Sequence, residues 1–239
     1  MRSPRSGGAR PALLAELGEY AEALLVAVLV ALFFRTWVVE AFKIPTSSME
    51  PRLIPGDHVV VNKFVYGRCA GPWARLLPQR DPARGDVVVF RSPADPSRDL
   101  VKRFVGLPGE TVEIAAKRLL VDGSALPEPY SVYSDPDVLP KGPEVPKALA
   151  SRDHFGPLAL PAEGFLALGD NRDDSQDSRF FGPVSRGLLK GCAVIVYWSF
   201  DDGAAGVVRG RGANLRRFLD NALHFFDRTR WTRTGLPVR

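Results

Sequence analysis

"DVVVFRSP" at residues 86–93 and "LVKRFVGLPG" at residues 100–109 are the two stretches that decide the fold. Each is a short run rich in Val and Phe that ends at Pro or Gly, the pattern of a β-strand followed by a turn. "RLLVDG" ends in an Asp-Gly pair that is typical of a hairpin. Further runs of the strand type lie at 58–67, 165–170 and 192–200. Because no strand alternates with a helical pattern, we predict a mainly β fold whose body is an antiparallel β-sheet.

The length and composition are those of a globular protein. The chain has 239 residues, of which 45% are hydrophobic and 25% charged, together with 22 Gly and 21 Pro. Such a length suits one large domain or one domain with additions, and the Gly and Pro content favours many turns over long helices. We predict a β body over residues 41–202, with a smaller, Pro-rich β/loop insertion at about 124–161.

The most apolar stretch precedes this body. Residues 23–39 read "ALLVAVLVALFFRTWVV", 17 residues with one charge. As a helix it would be about 25 Å long, at the short end of a membrane span. We predict a transmembrane anchor over 18–40, with a basic N-terminus at 1–17 on the cytoplasmic side and the body outside the cytoplasm.

Two alternatives fit parts of the apolar stretch. A cleaved signal peptide fits its apolar core, and Val39-x-Ala41 resembles a cleavage site, but Trp37 and Glu40 make this region a poor one. A buried core helix lacks a helical layer to pack against. An uncleaved anchor is therefore favoured.

The C-terminal part, 203–239, is predicted to be a basic helix and tail. From residue 207 onward there are eight arginines and two aspartates, a net charge of +6. This favours lipid phosphate over nucleic acid as a partner. An apolar stripe with helical spacing begins after Asn214 and comprises Leu215, Phe218, Leu219, Ala222, Leu223 and Phe226. The amphipathic helix could lie on anionic lipid or pack on the body, and the pattern leaves both open.

The two cysteines, Cys69 and Cys192, are 123 positions apart and form no metal-binding motif. Zinc is therefore not expected. The pair forms either one disulfide or two core thiols, and thiols are slightly favoured.

"KIPTSSMEP" at 43–51 crowds three hydroxyl groups between two prolines. It is either a solvated linker or a segment that holds a nucleophile, and a serine nucleophile needs a base. His58, His154 and His224 lie in no recognisable catalytic motif, so a Ser-His-Asp triad has little support.

Lysine is the other candidate base, because arginine is not deprotonated in proteins. Of the seven lysines, Lys63 and Lys102 lie in apolar runs, where alternation places Lys102 on one face with Leu100 and Phe104. Burial of an amine lowers its pKa, and a drop of about 3 units would leave it neutral near pH 7–8. Lysines that reach solvent from strand edges fit the same spacing, so the pattern alone does not decide.

Four motifs occur in order along the chain: "FKIPTSSMEPRLIPGDHVVVNKFVYG" (42–67), "RGDVVVF" (84–90), "VKRFVGLPGE" (101–110) and "GDNRDDSQDSRFFG" (169–182). Together they resemble bacterial type I signal peptidases, membrane-anchored serine proteases that remove signal peptides from exported preproteins. The resemblance covers roughly residues 20–200 and a closing "RWTRTG". The segment 203–228 is longer than the family pattern suggests.

The resemblance implies a Ser-Lys catalytic dyad. Ser48 takes the place of the nucleophile and Lys102 that of the general base, while Lys63 becomes structural. Thr46 and the Ser48 backbone N–H take the place of the oxyanion hole, and Ser47 is a spacer. The remaining implied site residues are Ser175, which orients the lysine, and the supporting pair Asp177 and Arg179; Asp174 stands where family members often have Asn.

The resemblance also implies the substrate and the location. Shallow apolar pockets for Ala-x-Ala sites are expected from Phe42, Ile44, Met49, Leu53 and Val101. The implied partners are exported preproteins, the lipid bilayer and a nearby export translocase, with no nucleic acid, metal or cofactor, in the bacterial inner membrane. The rival functions are a self-cleaving repressor-type Ser-Lys protease, which would need a DNA-binding N-terminal domain, and a non-catalytic anchored binding protein.

Overall fold

Antiparallel strands dominate the part of the chain that the structure, a computed structural model, describes: residues 9–33, 39–67, 79–147, 149–201, 220 and 223–238. The strands are β1 Val39–Lys43, β2 Asp57–Asn62, β3 Val87–Arg91, β4 Asp99–Gly106, β5 Thr111–Ala115, β6 Arg118–Val121, β7 Ser124–Ala125, β8 Phe155–Ala159, β9 Gly164–Leu168, β10 Val184–Ser185, β11 Leu189–Ser199 and β12 Leu236–Pro237. The helices are α1 Ala9–Phe33, α2 Ser178–Phe181 and α3 Phe225–Arg228.

The strands form two sheets. The larger sheet has the order β1-β2-β11-β3-β4-β9-β10, and β12 pairs with β11. The smaller sheet has the order β7-β6-β5-β8. Every strand pair within the two sheets is antiparallel, which confirms the predicted antiparallel body.

The centre of the larger sheet is buried on both faces. In β3, Val87 and Val89 pack into one hydrophobic core, whereas Val88 and Phe90 pack into a second core on the other face. All four side chains are buried, which explains why this strand is a continuous apolar run in the sequence. A strand that crosses such a centre can hold a polar side chain away from water.

The run at 58–67 is shorter as a strand than predicted. β2 ends at Asn62, whose side-chain Oδ1 accepts hydrogen bonds from the Phe64 and Val65 amides at 3.2 and 3.1 Å. Asparagine side chains that bind nearby amides favour turns over sheet ladders. The placement of Lys63 in a strand was therefore wrong, and its Nζ instead lies 3.4 Å from the Glu40 carboxylate, with a third of the side chain exposed.

The smaller sheet begins at Thr111, earlier than the insertion predicted from residue 124. The β6–β7 hairpin turns at the predicted Asp-Gly pair, where Asp122 and Gly123 both have positive φ. After β7 the chain runs through an irregular segment to β8. The segment is held by buried charges, among them Arg152, which contacts Asp135 and Asp153 at 2.9 and 2.8 Å.

A glycine joins the two sheets at the end of β4. A Cβ added to Gly106 would lie 2.7 Å from Val112, 2.8 Å from Leu160 and 3.0 Å from Leu166. These three residues belong to the core shared by the two sheets. No larger residue fits there without displacing that core.

The predicted N-terminal anchor falls partly on α1. The described side chains of this helix are exposed from Gly18 to Leu32, and its apolar residues include Leu24 and Leu29. Within the described ranges, no helix combines the length and the apolar character that a bilayer crossing requires. Residues 34–38 lie outside those ranges, so the anchor over 18–40 stays a prediction.

The C-terminal region is more than the predicted helix and tail. Most of the apolar stripe lies outside the described residues, and the described part forms α3 with Phe226 largely exposed. Residues 229–238 then return to the larger sheet, where Leu236 pairs with Val196 through β12. Cys192 carries a free thiol, and Cys69 lies outside the described residues.

The joint at Gly106 generates a prediction about stability. Gly106→Ala should lower the melting temperature of the full chain in detergent by about 3 °C or more, because the new methyl group overpacks the shared core. Circular dichroism provides the measurement. Gly142→Ala is the matched control, since a Cβ there meets nothing within 4 Å, and its melting temperature should change little. Equal melting temperatures for the two variants would refute this account of the joint.

Candidate active site

Ser48 lies on a short 3-10 turn, Ser47–Met49, in the loop between β1 and β2. The loop folds over the face of the larger sheet because Met49 and Leu53 are buried in its core. A backbone hydrogen bond of 2.9 Å from Leu53 N to Met49 O continues the turn. Two buried apolar side chains that follow Ser48 thus hold its turn on the sheet.

The far end of this loop is bound by the C-terminal region. The Arg233 guanidinium contacts both carboxylate oxygens of buried Asp57, at 3.0 and 2.7 Å, and donates to the Arg52 carbonyl at 2.9 Å. Arg230 donates to the Pro55 carbonyl at 2.9 Å. Burial alone would raise the pKa of Asp57, but the Arg233 hydrogen bonds and charge leave it lowered, so the carboxylate stays ionised.

Lys102 reaches this serine from the middle of β4. Its Nζ donates to Ser48 Oγ at 2.5 Å. In the sheet order, β11 and β3 separate β2 from β4. The loop therefore crosses about three strand spacings, roughly 15 Å, to bring the hydroxyl to the amine.

The amine of Lys102 is held in a dry environment. The residue is 3% exposed, and its strand neighbours Leu100 and Phe104 pack on one core, as the alternation predicts. Burial penalises the ammonium form and lowers the Lys102 pKa to about 8, against the opposing charge of Asp177. A smaller lowering comes from Arg179, and smaller opposing contributions come from Asp170 and Asp174. With a pKa of about 8, roughly a tenth to a fifth of the amine is neutral between pH 7 and 7.4.

The turn that carries Ser48 is also held by the segment after β9. Asn171 N donates to the Ser48 carbonyl at 3.2 Å, and the Asn171 side chain donates to the Ser47 carbonyl at 3.4 Å. Thr46 Oγ1 lies 3.4 Å from Ser48 Oγ, on the same side of the turn. Ser47 is not a mere spacer, since its hydroxyl donates a short hydrogen bond to Asp174.

Asp177 and Arg179 form a buried ion pair beneath the site. Two guanidinium–carboxylate hydrogen bonds of 2.8 Å join them, and both side chains are almost fully buried. Asp177 also accepts from Gly169 N at 3.0 Å. Arg179 also donates to the Arg152 carbonyl from Nη1 at 2.8 Å and to the Arg172 carbonyl from Nη2 at 2.6 Å. The pair therefore connects β9, the turn after it and the insertion.

Ser175 lies in the same cleft, but it does not hold the lysine in this conformation. Its hydroxyl is buried and has no hydrogen-bond partner of normal geometry among the described residues. The predicted hydrogen bond to Lys102 is thus not formed here, although both side chains line the cleft. The orienting role of Ser175 stays a prediction.

A cleft of about 670 Å³ opens over the dyad. Its lining residues are Pro45, Thr46, Ser47, Ser48, Pro55, Arg98, Leu100, Lys102, Leu149, Arg152, Asp173, Asp174, Ser175, Gln176 and Phe180. His58, His154 and His224 are absent from this lining, which removes the alternative of a histidine base in the cleft. The hydroxyl, the amine and the open cleft are the requirements for attack on a bound acyl group.

The five predicted pocket residues lie together in one hydrophobic core, and none of them is among the residues that line the cleft. Ile44, Met49 and Leu53 are core residues with 2%, 1% and 0% exposure, and Phe42 and Val101 pack partly buried against the same core. This packing alone accounts for their apolar character. Their role as substrate pockets stays a prediction.

Sequence reasoning missed two supports of the site. Arg103 and Asp170 form a buried ion pair with hydrogen bonds of 2.8 and 2.6 Å, and the Tyr130 ring stacks 4.2 Å from the guanidinium carbon. An arginine within an apolar strand was the available signal. The second support is the close backbone approach at Gly169. A Cβ added there would lie 2.2 Å from Ser175 Oγ and 2.5 Å from the Ser48 carbonyl.

Comparison with known proteins places these features in a family. A family profile described as signal peptidase, peptidase S26, matches residues 17–198. A signal peptidase I from Pseudomonas aeruginosa is 36% identical over 192 residues, covering 72% of this chain and 67% of that protein. One from Pseudomonas fluorescens is 36% identical, covering 69% and 63%, so this chain spans slightly less than two thirds of its length. A crystal structure of a signal peptidase I from Enterococcus faecalis V583 is 31% identical, covering 47% of this chain and 97% of that one, with a TM-score of 0.36.

The buried lysine generates a prediction about stability and pH. Below pH 8 the amine is protonated in the folded and unfolded states, so folding carries the cost of burying a charge, about 3 kcal/mol for the lowered pKa. That cost disappears as the pH rises through 8 toward 10.5. Lys102→Met should therefore be more stable than the wild type at pH 7, by about 2 kcal/mol after the loss of one hydrogen bond.

Melting temperatures of the two full-length proteins at pH 7 and near pH 10 provide the measurement. The advantage of Lys102→Met should shrink at the higher pH. A variant that melts below the wild type at pH 7 would show that burial of this amine carries no cost.

Proposed function

Because the chain belongs to the signal peptidase family, peptidase S26, we propose that it is a serine endopeptidase that cleaves signal peptides from exported preproteins with a Ser48–Lys102 dyad. The observation that carries this proposal is the 2.5 Å contact between Lys102 Nζ and Ser48 Oγ. A buried amine with a pKa of about 8 beside a serine hydroxyl has no structural purpose that an apolar residue would not serve better.

The chemistry is acyl transfer. With the amine neutral, the Ser48 hydroxyl donates to Lys102 Nζ, and its oxygen attacks the carbonyl carbon at the cleavage site as the proton moves to the lysine. The tetrahedral intermediate collapses when Lys102 gives this proton to the leaving amine. Lys102 then takes a proton from water, which attacks the acyl-enzyme and releases the signal peptide, and the proton returns to Ser48.

The negative oxygen of the intermediate needs hydrogen-bond donors. The Ser48 amide lies in the first turn of a 3-10 segment, where N–H groups lack an intrahelical acceptor. Thr46 Oγ1, 3.4 Å from Ser48 Oγ, is the second donor that we assign. The ion pair of Asp177 and Arg179 acts behind them as a positioning pair, since it fixes the strand end and the turn that hold the Ser48 loop.

The substrate assignment is a peptide that binds in extended form along the cleft. Side pockets built from the edge of the core around Phe42 and Val101 are shallow, because the rest of that core is filled by buried Ile44, Met49 and Leu53. Shallow apolar pockets suit small side chains, which supports cleavage after Ala-x-Ala sites. Ser175 is proposed to bind the lysine when a substrate fills the cleft.

The proposal includes a single N-terminal anchor in the bacterial inner membrane, with the catalytic body on the outer side. The exposed apolar side chains of α1, with Leu24 at 66% and Leu29 at 57%, support contact with lipid. The apolar sequence continues to Val39, the first residue of β1. An anchor there would hold the cleft near the bilayer surface, where exported preproteins and their translocase present signal peptides.

Cleavage of a preprotein tests the assignment of the dyad. The purified full chain in detergent should cut a preprotein after its Ala-x-Ala site, and Ser48→Ala and Lys102→Met should each lose at least about a thousandfold in kcat/KM. Electrophoresis and mass spectrometry of the products measure this loss. Glu163→Gln, at an exposed turn before β9, is the control that should retain activity. Full cleavage by Ser48→Ala would refute the proposed protease, and full cleavage by Lys102→Met would refute the base.

The pH profile tests the state of the amine. Because only neutral Lys102 accepts the serine proton, kcat/KM should rise about tenfold per pH unit at acid pH and level off above a pKa of about 8. Initial rates with a peptide substrate between pH 5.5 and 10 measure the profile. A kcat/KM profile whose acid limb levels off only near the ordinary lysine pKa, about 10.4, would contradict the assignment of a buried lysine as the base.

A further inference from the structure

The 3-10 turn Arg172–Asp174 links the insertion to the turn that carries the nucleophile. Arg172 donates to the Glu128 carboxylate at 2.8 Å, and Asp173 lies 3.2 Å from Lys117 Nζ. Both contacts lead into the insertion. Asp174, the last residue of the turn, faces the other way and accepts the hydrogen bond from the Ser47 hydroxyl.

Two neighbouring aspartates of this turn differ in how their charges are balanced. Asp173 is paired with Lys117, and Arg152 Nε lies 3.7 Å from it. Asp174 has no ion pair with a cation among the described residues, and its recorded side-chain partner is the Ser47 hydroxyl. Both aspartates line the cleft over the dyad. The turn thus brings one uncompensated negative charge to the mouth of the cleft.

We propose that Asp174 is a positioning residue of the dyad, which fixes the Ser48 turn through the Ser47 hydroxyl and places an unpaired negative charge in the cleft that Lys102 also lines. The proposal rests on the proposed function, because a dyad is needed for the position to matter. It adds a residue whose two contributions, a hydrogen bond and a charge, can be removed separately.

The hydrogen bond acts on geometry. Ser47 and Ser48 are consecutive residues of one 3-10 turn, and Asn171, from the same segment as Asp174, binds the carbonyl oxygens of both. The Ser47–Asp174 bond adds a side-chain connection to these backbone contacts. Without it the turn keeps its core residue Met49 but loses one restraint on the direction of the Ser48 hydroxyl.

The charge acts on the base. The charged groups with the largest effects on the Lys102 pKa are Asp177, Arg179, Asp170 and Asp174. The first three lie in buried ion pairs, Asp177 with Arg179 and Asp170 with Arg103, so their charges are balanced locally. The other charged residues that line the cleft are Arg98, Arg152 and Asp173. Asp174 raises the pKa of Lys102 and so opposes part of the lowering by burial.

Three variants separate the two contributions. Asp174→Asn removes the charge and retains an oxygen that accepts from Ser47. Ser47→Ala removes the hydrogen bond and retains the charge. Glu163→Gln removes an exposed carboxylate at the start of β9, and its Cα lies about 20 Å along the strand from Gly169, well beyond the Debye length.

The first readout is the pKa of the amine itself, measured by NMR on full-length protein labelled with ¹³C at the lysine ε-carbons. The chain has seven lysines, and the resonance missing in Lys102→Met identifies the one of interest. Asp174→Asn should lower the Lys102 pKa by about 0.2 to 0.7 of a unit in 0.1 M salt, where the Debye length is about 10 Å, and by less in 1 M salt; this is the range expected for an exposed charge. Glu163→Gln and Ser47→Ala should leave the Lys102 pKa unchanged.

The second readout is cleavage. The acid limb of the kcat/KM profile should move to lower pH in Asp174→Asn by the same amount, so that this variant gains activity relative to the wild type below pH 7. Ser47→Ala should lose about threefold to tenfold in kcat with its limb unmoved. A Lys102 pKa that is equal in Asp174→Asn and wild type, or an unchanged kcat in Ser47→Ala, would overturn the proposal.

The two readouts fail independently. If the Lys102 resonance shifts in Asp174→Asn but the wild type does not cleave preproteins, the effect of the Asp174 charge is supported and the proposed function is overturned. If the wild type cleaves preproteins but the Lys102 resonance is the same in Asp174→Asn, the proposed function is supported and the role of the Asp174 charge is overturned.

Discussion

The active site depends on one unfavourable burial: an amine whose ordinary state is charged is enclosed against a serine hydroxyl on the face of a β-sheet. At 3% exposure the ammonium form loses most of its hydration, and Asp177, at the N-terminus of α2, supplies only partial compensation. The surrounding architecture makes that burial tolerable. β3 and β4 are covered on both faces, and the loop from β1 to β2 closes over the amine.

The charges near Lys102 influence whether its buried amine is protonated. A carboxylate in direct contact with Lys102 would keep its amine charged near neutral pH, whereas the complete absence of nearby negative charge would raise the free-energy cost of burying the ammonium form. The structure places Asp177 and Asp170 nearby but binds each to an arginine, Arg179 and Arg103. Guanidinium groups suit this purpose because they remain charged and hold a carboxylate with two hydrogen bonds.

Much of this arrangement could be predicted from the sequence, and the failures have physical causes. The strand runs, the antiparallel pairing and the meeting of Ser48 with Lys102 were found, because alternation and four ordered motifs specify them. Lys63 was misplaced because the Asn62 side chain ends the strand by binding two amides, a local competition that strand propensity does not register. Gly169 and Asp170 went unassigned because close backbone approach and long-range ion pairs depend on residues far apart in the chain.

The contact between Arg233 and Asp57 bears on when, during synthesis of the chain, the loop that carries Ser48 reaches its final structure. It joins the base of the nucleophile loop to residues 176 positions later, and β12 seals the same region against β11. Contacts of such high sequence separation form late in folding. A nascent polypeptide with Ser48 and Lys102 already synthesised therefore holds an unfinished loop, and maturation waits for residues near 233 to emerge.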